Sequence, residues 1–480
     1  MKTRFISSTH RTIELISLAV LIIAVASCGD FKKTSVYSPP ATGSVDFSVF
    51  VSLGNSLTAG FQSGALFESA QMYSYPRQIA RQAGLPDASF QQPLFPDPGV
   101  GGRMKIVGFS GGSPIIGEDP ANETMSPSNV ALSRPFNNLG IPGAILYDLL
   151  DTTDFAAKAT ARQNPFFYSV LRSKLMGNSP VAQALALHPT FVSVWIGNND
   201  VLGYATSGGT KGSDLTGKLP TDVATFGYLY TQTINALLNG ATNAKLVVAN
   251  IPDVAAIPFF TTVPSVVVNP ATNEPVVANG QYVPLIVMRH DANGNLYAGL
   301  ANPLTDLILL TALDSLEAGV GIPTQLGGTG RPLGDEFVLD SLEVATAESA
   351  IQGFNNVIAT IQANNSSRIA LFDAYSVFNS FAKDGYSDLT GVHLTKDYLT
   401  GGFFGLDGVH PTSQGYAYVA NMFIQAINSK FGANIAKVSI ATVPGSIVLE
   451  KTSGTKILWP IIHYSDLMPM LRLIQRSDLQ

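Results

Sequence analysis

Val49-Phe50-Val51-Ser52-Leu53-Gly54-Asn55-Ser56-Leu57-Thr58 is a short β-branched and aromatic run that breaks at a glycine and enters a turn carrying a hydroxyl. Such a run is expected of a strand buried in a parallel sheet and leading into a loop. Three more runs follow: Phe191 to Ile196 before Gly197, Leu246 to Ala249 before Asn250, and Ile369 to Phe372 before Asp373. Helical patterns separate them, at Tyr75 to Gln82, Pro180 to Leu187, Gly227 to Leu238, Val344 to Ala363 and Ser413 to Asn428. This alternation predicts an α/β fold with a parallel sheet covered on both faces. Reactive groups then belong beyond the carboxyl ends of the strands.

The chain around this core has 480 residues, 46% hydrophobic and only 13% charged, enough apolar surface to offset the entropy of ordering most of it. Its formal net charge of −6 becomes more negative without the first 27 residues, which carry Lys2, Arg4 and Arg11 against Glu14. Nucleic acids, which need basic surfaces, are therefore poor partners.

The N-terminus reads as an export signal over residues 1–27, with basic residues up to Arg11 and then an apolar run from Leu15 to Ala26 broken only by Ser17. That run falls short of the roughly 20 apolar residues of a spanning helix. Val25-Ala26-Ser27-Cys28 resembles a bacterial lipobox, whose cysteine is acylated and becomes the new N-terminus. Cys28 is the chain's single cysteine, so it has no partner for a disulfide or a thiolate metal cluster. The expectation is a lipid anchor at Cys28, a tether over residues 28–45, and a location in the bacterial cell envelope outside the cytoplasm, periplasmic or at the surface. The catalytic domain is expected over residues 46–440. Residues from about 255 to 343 exceed what one strand connection needs and read as an insertion. The segment 441–480 is a tail to which the sequence gives no role, although it carries apolar patches at Ile457 to Ile462 and Met468 to Ile474.

Candidate chemistry lies in four places. Ser56 stands at the end of the first strand between Gly54 and Gly60; an isolated serine there is ordinarily a solvated hydroxyl or a helix cap. Asp407-Gly408-Val409-His410-Pro411 puts a carboxylate three residues before a histidine, a spacing that lets Asp407 orient the His410 imidazole through Nδ1 and leaves Nε2 to accept a proton. Alone, the pair is also compatible with a helix N-terminal turn. Gly197-Asn198-Asn199-Asp200 offers an amide side chain at another strand end, and Asn138-Leu139-Gly140-Ile141-Pro142-Gly143 a close-approaching backbone amide. Asn and Gly are common in turns, so neither segment speaks by itself.

Taken in chain order, the four segments resemble the sequence blocks of the SGNH, or GDSL, hydrolases, over residues 46 to 430. The resemblance implies a flavodoxin-like three-layer α/β/α sandwich with about five parallel strands. It also implies that Ser56 is the nucleophile, that Asp407 and His410 activate it, and that Gly143 and Asn199 join the Ser56 amide in an oxyanion hole. The implied activity is hydrolysis of a carboxylic ester, with a small-molecule, lipid or glycan ester as substrate. Asn55 stands where the most quoted family motif has Asp, which leaves the nucleophile untouched. The long interval from Asp200 to Asp407 departs from compact members, and its insertion is open to reading as a lid, an acyl pocket or a surface subdomain. The apolar insertion leans toward a lipase or esterase; a carbohydrate acetylesterase and a non-catalytic surface lipoprotein that binds glycan or lipid are the competing readings.

Two segments imitate site motifs. Gly108-Phe109-Ser110-Gly111-Gly112 fits the nucleophile-elbow pattern, but that motif needs a helix directly after the serine, and Pro114, Gly117 and Pro120 follow instead. Thr390-Gly391-Val392-His393 copies the Asp407 turn with threonine in place of the carboxylate. His188 and His290 have no adjacent motif and read as structural or surface residues. No ligand spacing or phosphate-cradling glycine loop is evident, so neither a metal nor an organic cofactor is expected.

Overall fold

The computed structural model of the chain describes residues 40–119, 121, 123, 126–214, 217–270, 272–445 and 460–475. The export signal, Cys28 and most of the tether lie outside the described residues. Among the described residues no helix is long and apolar enough to cross a membrane.

Five strands form the central sheet: β1 (Phe50–Gly54), β2 (Asn138–Gly140), β3 (Phe191–Trp195), β4 (Lys245–Ala249) and β5 (Ile369–Phe372). All pair in parallel, in the order β5-β4-β3-β1-β2. This is the 2-1-3-4-5 order of flavodoxin-like sheets, whose winding reverses between β1 and β3 and leaves a crevice at their carboxyl ends. Every residue of β1 and β3 is buried, which is why these strands read as unbroken apolar runs rather than alternating ones. Their one polar intrusion is matched: Ser193 donates its hydroxyl to Ser52 Oγ at 2.8 Å.

The strand absent from the apolar runs of the sequence is β2. Asn138-Leu139-Gly140 has no apolar run to announce it, and it is a strand because its backbone pairs with Ser52-Leu53-Gly54 at the sheet edge.

Helix α1 (Ser56–Ala59) is a single turn after β1; α2 (Tyr75–Gln82) and α7 (Ser413–Phe431) cover one face, α3 (Pro180–Ala186), α5 (Val223–Gly240) and α6 (Ser341–Asn364) the other. Between the first pair and the sheet, Tyr75 stacks on Phe423 at 4.6 Å and both lie edge-on to Trp195. On the opposite side Phe226 of α5 stacks on Phe354 of α6 at 4.0 Å. These aromatic pairs tie the helices to each other as well as to the strands.

Residues between β4 and α6 form small antiparallel pairs, of which Ile286–His290 with Leu296–Leu300 is the longest, and short helical turns such as Leu313–Glu317. The insertion meets α6 at a capping box: Asp340 accepts the amides of Leu342 and Glu343, and Glu343 accepts the amide of Asp340.

The tail is not left loose. Ile461–Ile462 pairs in parallel with Ser113–Glu118, and helix α8 (Tyr464–Gln475) packs on α4 (Asn199–Ala205), the helix after β3. Leu467, Met470, Leu471 and Ile474 are each at most 2% exposed. Burying such side chains contributes about 1.5–3 kcal/mol each, which explains why an apolar patch beyond the fold's last large helix is kept.

Candidate active site

β1 delivers its hydroxyl through a turn that tolerates no side chain at Gly54 or at Gly140 of the neighbouring β2. A Cβ on Gly54 would lie 2.1 Å from Thr58 Oγ1 and 2.4 Å from the Trp195 carbonyl oxygen, and one on Gly140 would lie 2.5 Å from the Ala59 amide nitrogen. α1 can therefore sit directly on the ends of β1, β2 and β3. Asn55 caps it, accepting the Leu57 amide at 3.1 Å, and its own Nδ2 donates to Asn198 Oδ1 at 3.3 Å. Asn138 fastens the turn from the other side, donating to the Thr58 carbonyl at 2.8 Å.

Asp407 and His410 come to the same place from the loop before α7. Gly408 adopts φ +68°, and the tight turn this allows brings the two side chains together. His410 Nδ1 is 3.0 Å from Asp407 Oδ2, and His410 Nε2 is 2.8 Å from Ser56 Oγ. Phe61 packs against the imidazole at 4.7 Å between ring centroids. Asp407 is fully buried, and its oxygens accept the amides of Gly64 at 2.8 Å, Val409 at 2.9 Å and His410 at 2.8 Å. Burial pushes this carboxyl up, but the charge and hydrogen bonds of His410 and the backbone amides outweigh it and hold it below the ordinary value of 3.8. The residue is thus kept as a carboxylate facing the imidazole.

Asn199, the first residue of α4, lines the same cavity as Ser56 and His410. Its Nδ2 donates to the Ala144 carbonyl at 2.9 Å, so the residue following Gly143 fixes the plane of the Asn199 amide. Gly143 has φ +75° and is buried beside this contact; it does not line the cavity itself. Asp200 anchors the arrangement, accepting the Leu146 amide and the Thr221 hydroxyl, each at 3.0 Å.

The structure thus brings Ser56, Asp407, His410 and Asn199 together, with Gly143 alongside. The imitating segments fall elsewhere. Ser110 is exposed on a hairpin that turns at Gly111 and Gly112, both with positive φ. His393 is exposed and pairs with the Ser387 hydroxyl at 2.8 Å, and His188 is exposed.

Sequence reasoning missed four contributors: the Asn55–Asn198 link, the Gly64 amide on Asp407, the Asp200 anchor, and Ile474 of α8, which lines the catalytic cavity from the tail. The two-asparagine run after Gly197 was the available signal for the first. His290, read as a structural or surface residue, has Nδ1 3.0 Å from Asp340 Oδ2 and 3.8 Å from Glu343 Oε1. Among the described residues these three have donor atoms close enough for a metal ion, but Asp340 and Glu343 already serve the α6 capping box.

The family model described as GDSL-like Lipase/Acylhydrolase matches residues 50–423, from the first residue of β1 into α7. Comparison with curated proteins and with solved structures gave no match.

Proposed function

The chain belongs to the GDSL-like lipase/acylhydrolase family, and from that premise we propose that it hydrolyses carboxylic esters through an acyl-enzyme on Ser56. The observation that carries the proposal is the continuous relay from Asp407 through His410 to the Ser56 hydroxyl, with links of 3.0 and 2.8 Å. His410 Nε2 takes the Ser56 proton as Oγ attacks the ester carbonyl, while Asp407 holds the tautomer and stabilises the imidazolium. The amides of Ser56 and Gly143 and the side chain of Asn199 receive the developing oxyanion charge. His410 then returns the proton to the departing alcohol, and water admitted in its place releases the acid by the same steps in reverse.

Within this reaction class a carbohydrate acetylesterase is the second reading, and the small cavity at Ser56, about 50 Å³, favours it over a long-chain lipase. A surface protein that only binds glycan or lipid has no need of a carboxylate buried against a histidine. Wild type and Ser56→Ala are to be compared on p-nitrophenyl acetate, butyrate and palmitate and on acetylated xylan, with activity lost in the variant. Equal rates for the two proteins on every substrate would sink the proposal.

The same reading places the enzyme in the bacterial cell envelope, held at a membrane by acylated Cys28. Its support is the sequence Val25-Ala26-Ser27-Cys28 after a basic and apolar leader. Cys28→Ala should move the protein from the membrane fraction to the soluble periplasm or medium; retention in the membrane would refute the anchor.

A further inference from the structure

Four observations converge on the tail helix. Ile474 is 2% exposed and lines the catalytic cavity together with Ser56, His410 and Asn199. The residue before it, Leu473, sets its carbonyl oxygen 2.6 Å from where a Cβ on Gly143 would stand, so the tail lies directly on the loop that supplies the oxyanion amide. The helix end is fastened to the body: Gln475 Nε2 donates to the Thr206 carbonyl at 3.0 Å, and Lys211 donates to the Gln475 carbonyl. The other end is fastened to the insertion, where Asp314 accepts the Tyr464 amide at 2.7 Å and faces His463 Nδ1 at 2.8 Å.

The cavity that this arrangement leaves beside the nucleophile is small and apolar. Its volume is about 50 Å³, and Val201, Leu202, Ile257 and Ile474 are among its walls. That is small beside the roughly 300–1,000 Å³ of ordinary ligand sites, and it suits a short acyl group better than a fatty acyl chain. Ile474 sits on a helix whose Leu467, Met470 and Leu471 are also buried, rather than on a loop.

We propose that Ile474 is the residue that limits acyl chain length: the C-terminal helix closes the acyl pocket and restricts the enzyme to esters of acetyl-sized acids. The inference rests on the ester-hydrolase reading and deepens it by naming the acid part of the substrate. It also gives the tail a function that its position after the last large helix conceals. The insertion then bears on the site twice, through Ile257 in the cavity wall and through the tail, by holding His463 and Tyr464.

The test is the chain-length profile of the full-length enzyme on p-nitrophenyl acetate, butyrate, octanoate and palmitate. Wild type should favour acetate over octanoate by at least about 100-fold in kcat/KM. Ile474→Ala should raise the butyrate-to-acetate and octanoate-to-acetate ratios at least about tenfold. Ile474→Trp, which fills the cavity, should lower the butyrate-to-acetate ratio, and it reads the same wall without opening it. Wild-type cleavage of palmitate as efficient as that of acetate, or ratios unchanged in both variants, would overturn the inference while leaving the ester-hydrolase reading intact. Absence of hydrolysis of any ester by the wild type would overturn both.

Discussion

Asn55 donates to Asn198 across 3.3 Å while accepting the Leu57 amide, so one side chain both caps the nucleophile's turn and ties it to the strand end that carries Asn199. The nucleophile and the candidate oxyanion donor are thereby held in one frame. Asn55→Ala removes both bonds; a lost cap of about 1 kcal/mol falling on the position of Ser56 corresponds to a drop of about five- to tenfold in kcat. Asn55→Asp should be milder, since a carboxylate still caps Leu57 and the Asn198 amide can turn round to donate to it. Steady-state kinetics on p-nitrophenyl acetate decide the matter, and an Asp variant worse than Ala would contradict this role for residue 55.

Asp407 is held ionised by four donors, three of them backbone amides. Asp407→Asn keeps the shape but presents an amide where His410 Nδ1 and the Gly64 amide both need an acceptor. A fall of about 1,000- to 10,000-fold in kcat is expected. Because the folded-state value is depressed, Asp407 contributes stability above its ordinary value of 3.8 that is lost as pH falls below it. Thermal melts of the asparagine variant should therefore depend less on pH between about 4 and 2 than those of wild type. Parallel curves would contradict the depressed value.

Glu343 behaves in the opposite sense. Burial, with Asp340, Asp335 and Asp306 adding like charge, pushes its carboxyl up from 4.5 to about 8, although the Asp340 amide pulls the other way. A raised acid contributes stability that is complete below 4.5 and is lost as pH rises through about 8. Glu343→Gln keeps an oxygen to accept the Asp340 amide and cannot ionise. Its melting temperature relative to wild type should rise between pH 5 and pH 9, as followed by circular dichroism; a constant difference across that range would exclude an alkaline penalty at Glu343.

How much of this the sequence disclosed depended on the range of the forces involved. β1, β3, β4 and β5 were legible because burial on both faces demands consecutive apolar residues, and α2 was legible from residues 75 to 82 because its first turn carries Pro76 after Ser74. β2 was not, since three residues ending in glycine become a strand only by pairing with β1. Asp407 and His410 were legible as a pair from their three-residue spacing, but only a family resemblance joined them to Ser56. The Gly64 amide on Asp407 lies 343 positions away in the chain, and the contact of Leu473 with Gly143 spans a similar distance. Such contacts carry no local periodicity. The tail helix shows this most clearly: its apolar face was plain in the sequence, its partner was not.

Gly143 offers the sharpest check on that partnership. Its φ of +75° is one that residues with a side chain adopt at a cost of roughly 1–2 kcal/mol. The added methyl of Gly143→Ala would in addition meet the Leu473 carbonyl oxygen at 2.6 Å and Asn164 Nδ2 at 3.1 Å, so either the oxyanion loop or the tail has to shift. If the Gly143 amide is the oxyanion donor of the proposed mechanism, shifting it should cost up to about 100-fold in kcat with little change in KM. A shifted tail withdraws Ile474, and the butyrate-to-acetate ratio should then rise, as expected for Ile474→Ala. Measuring kcat, KM and that ratio in the one variant separates the two responses, and wild-type values for all three, with an unchanged melting temperature, would show that the tail does not bear on the loop.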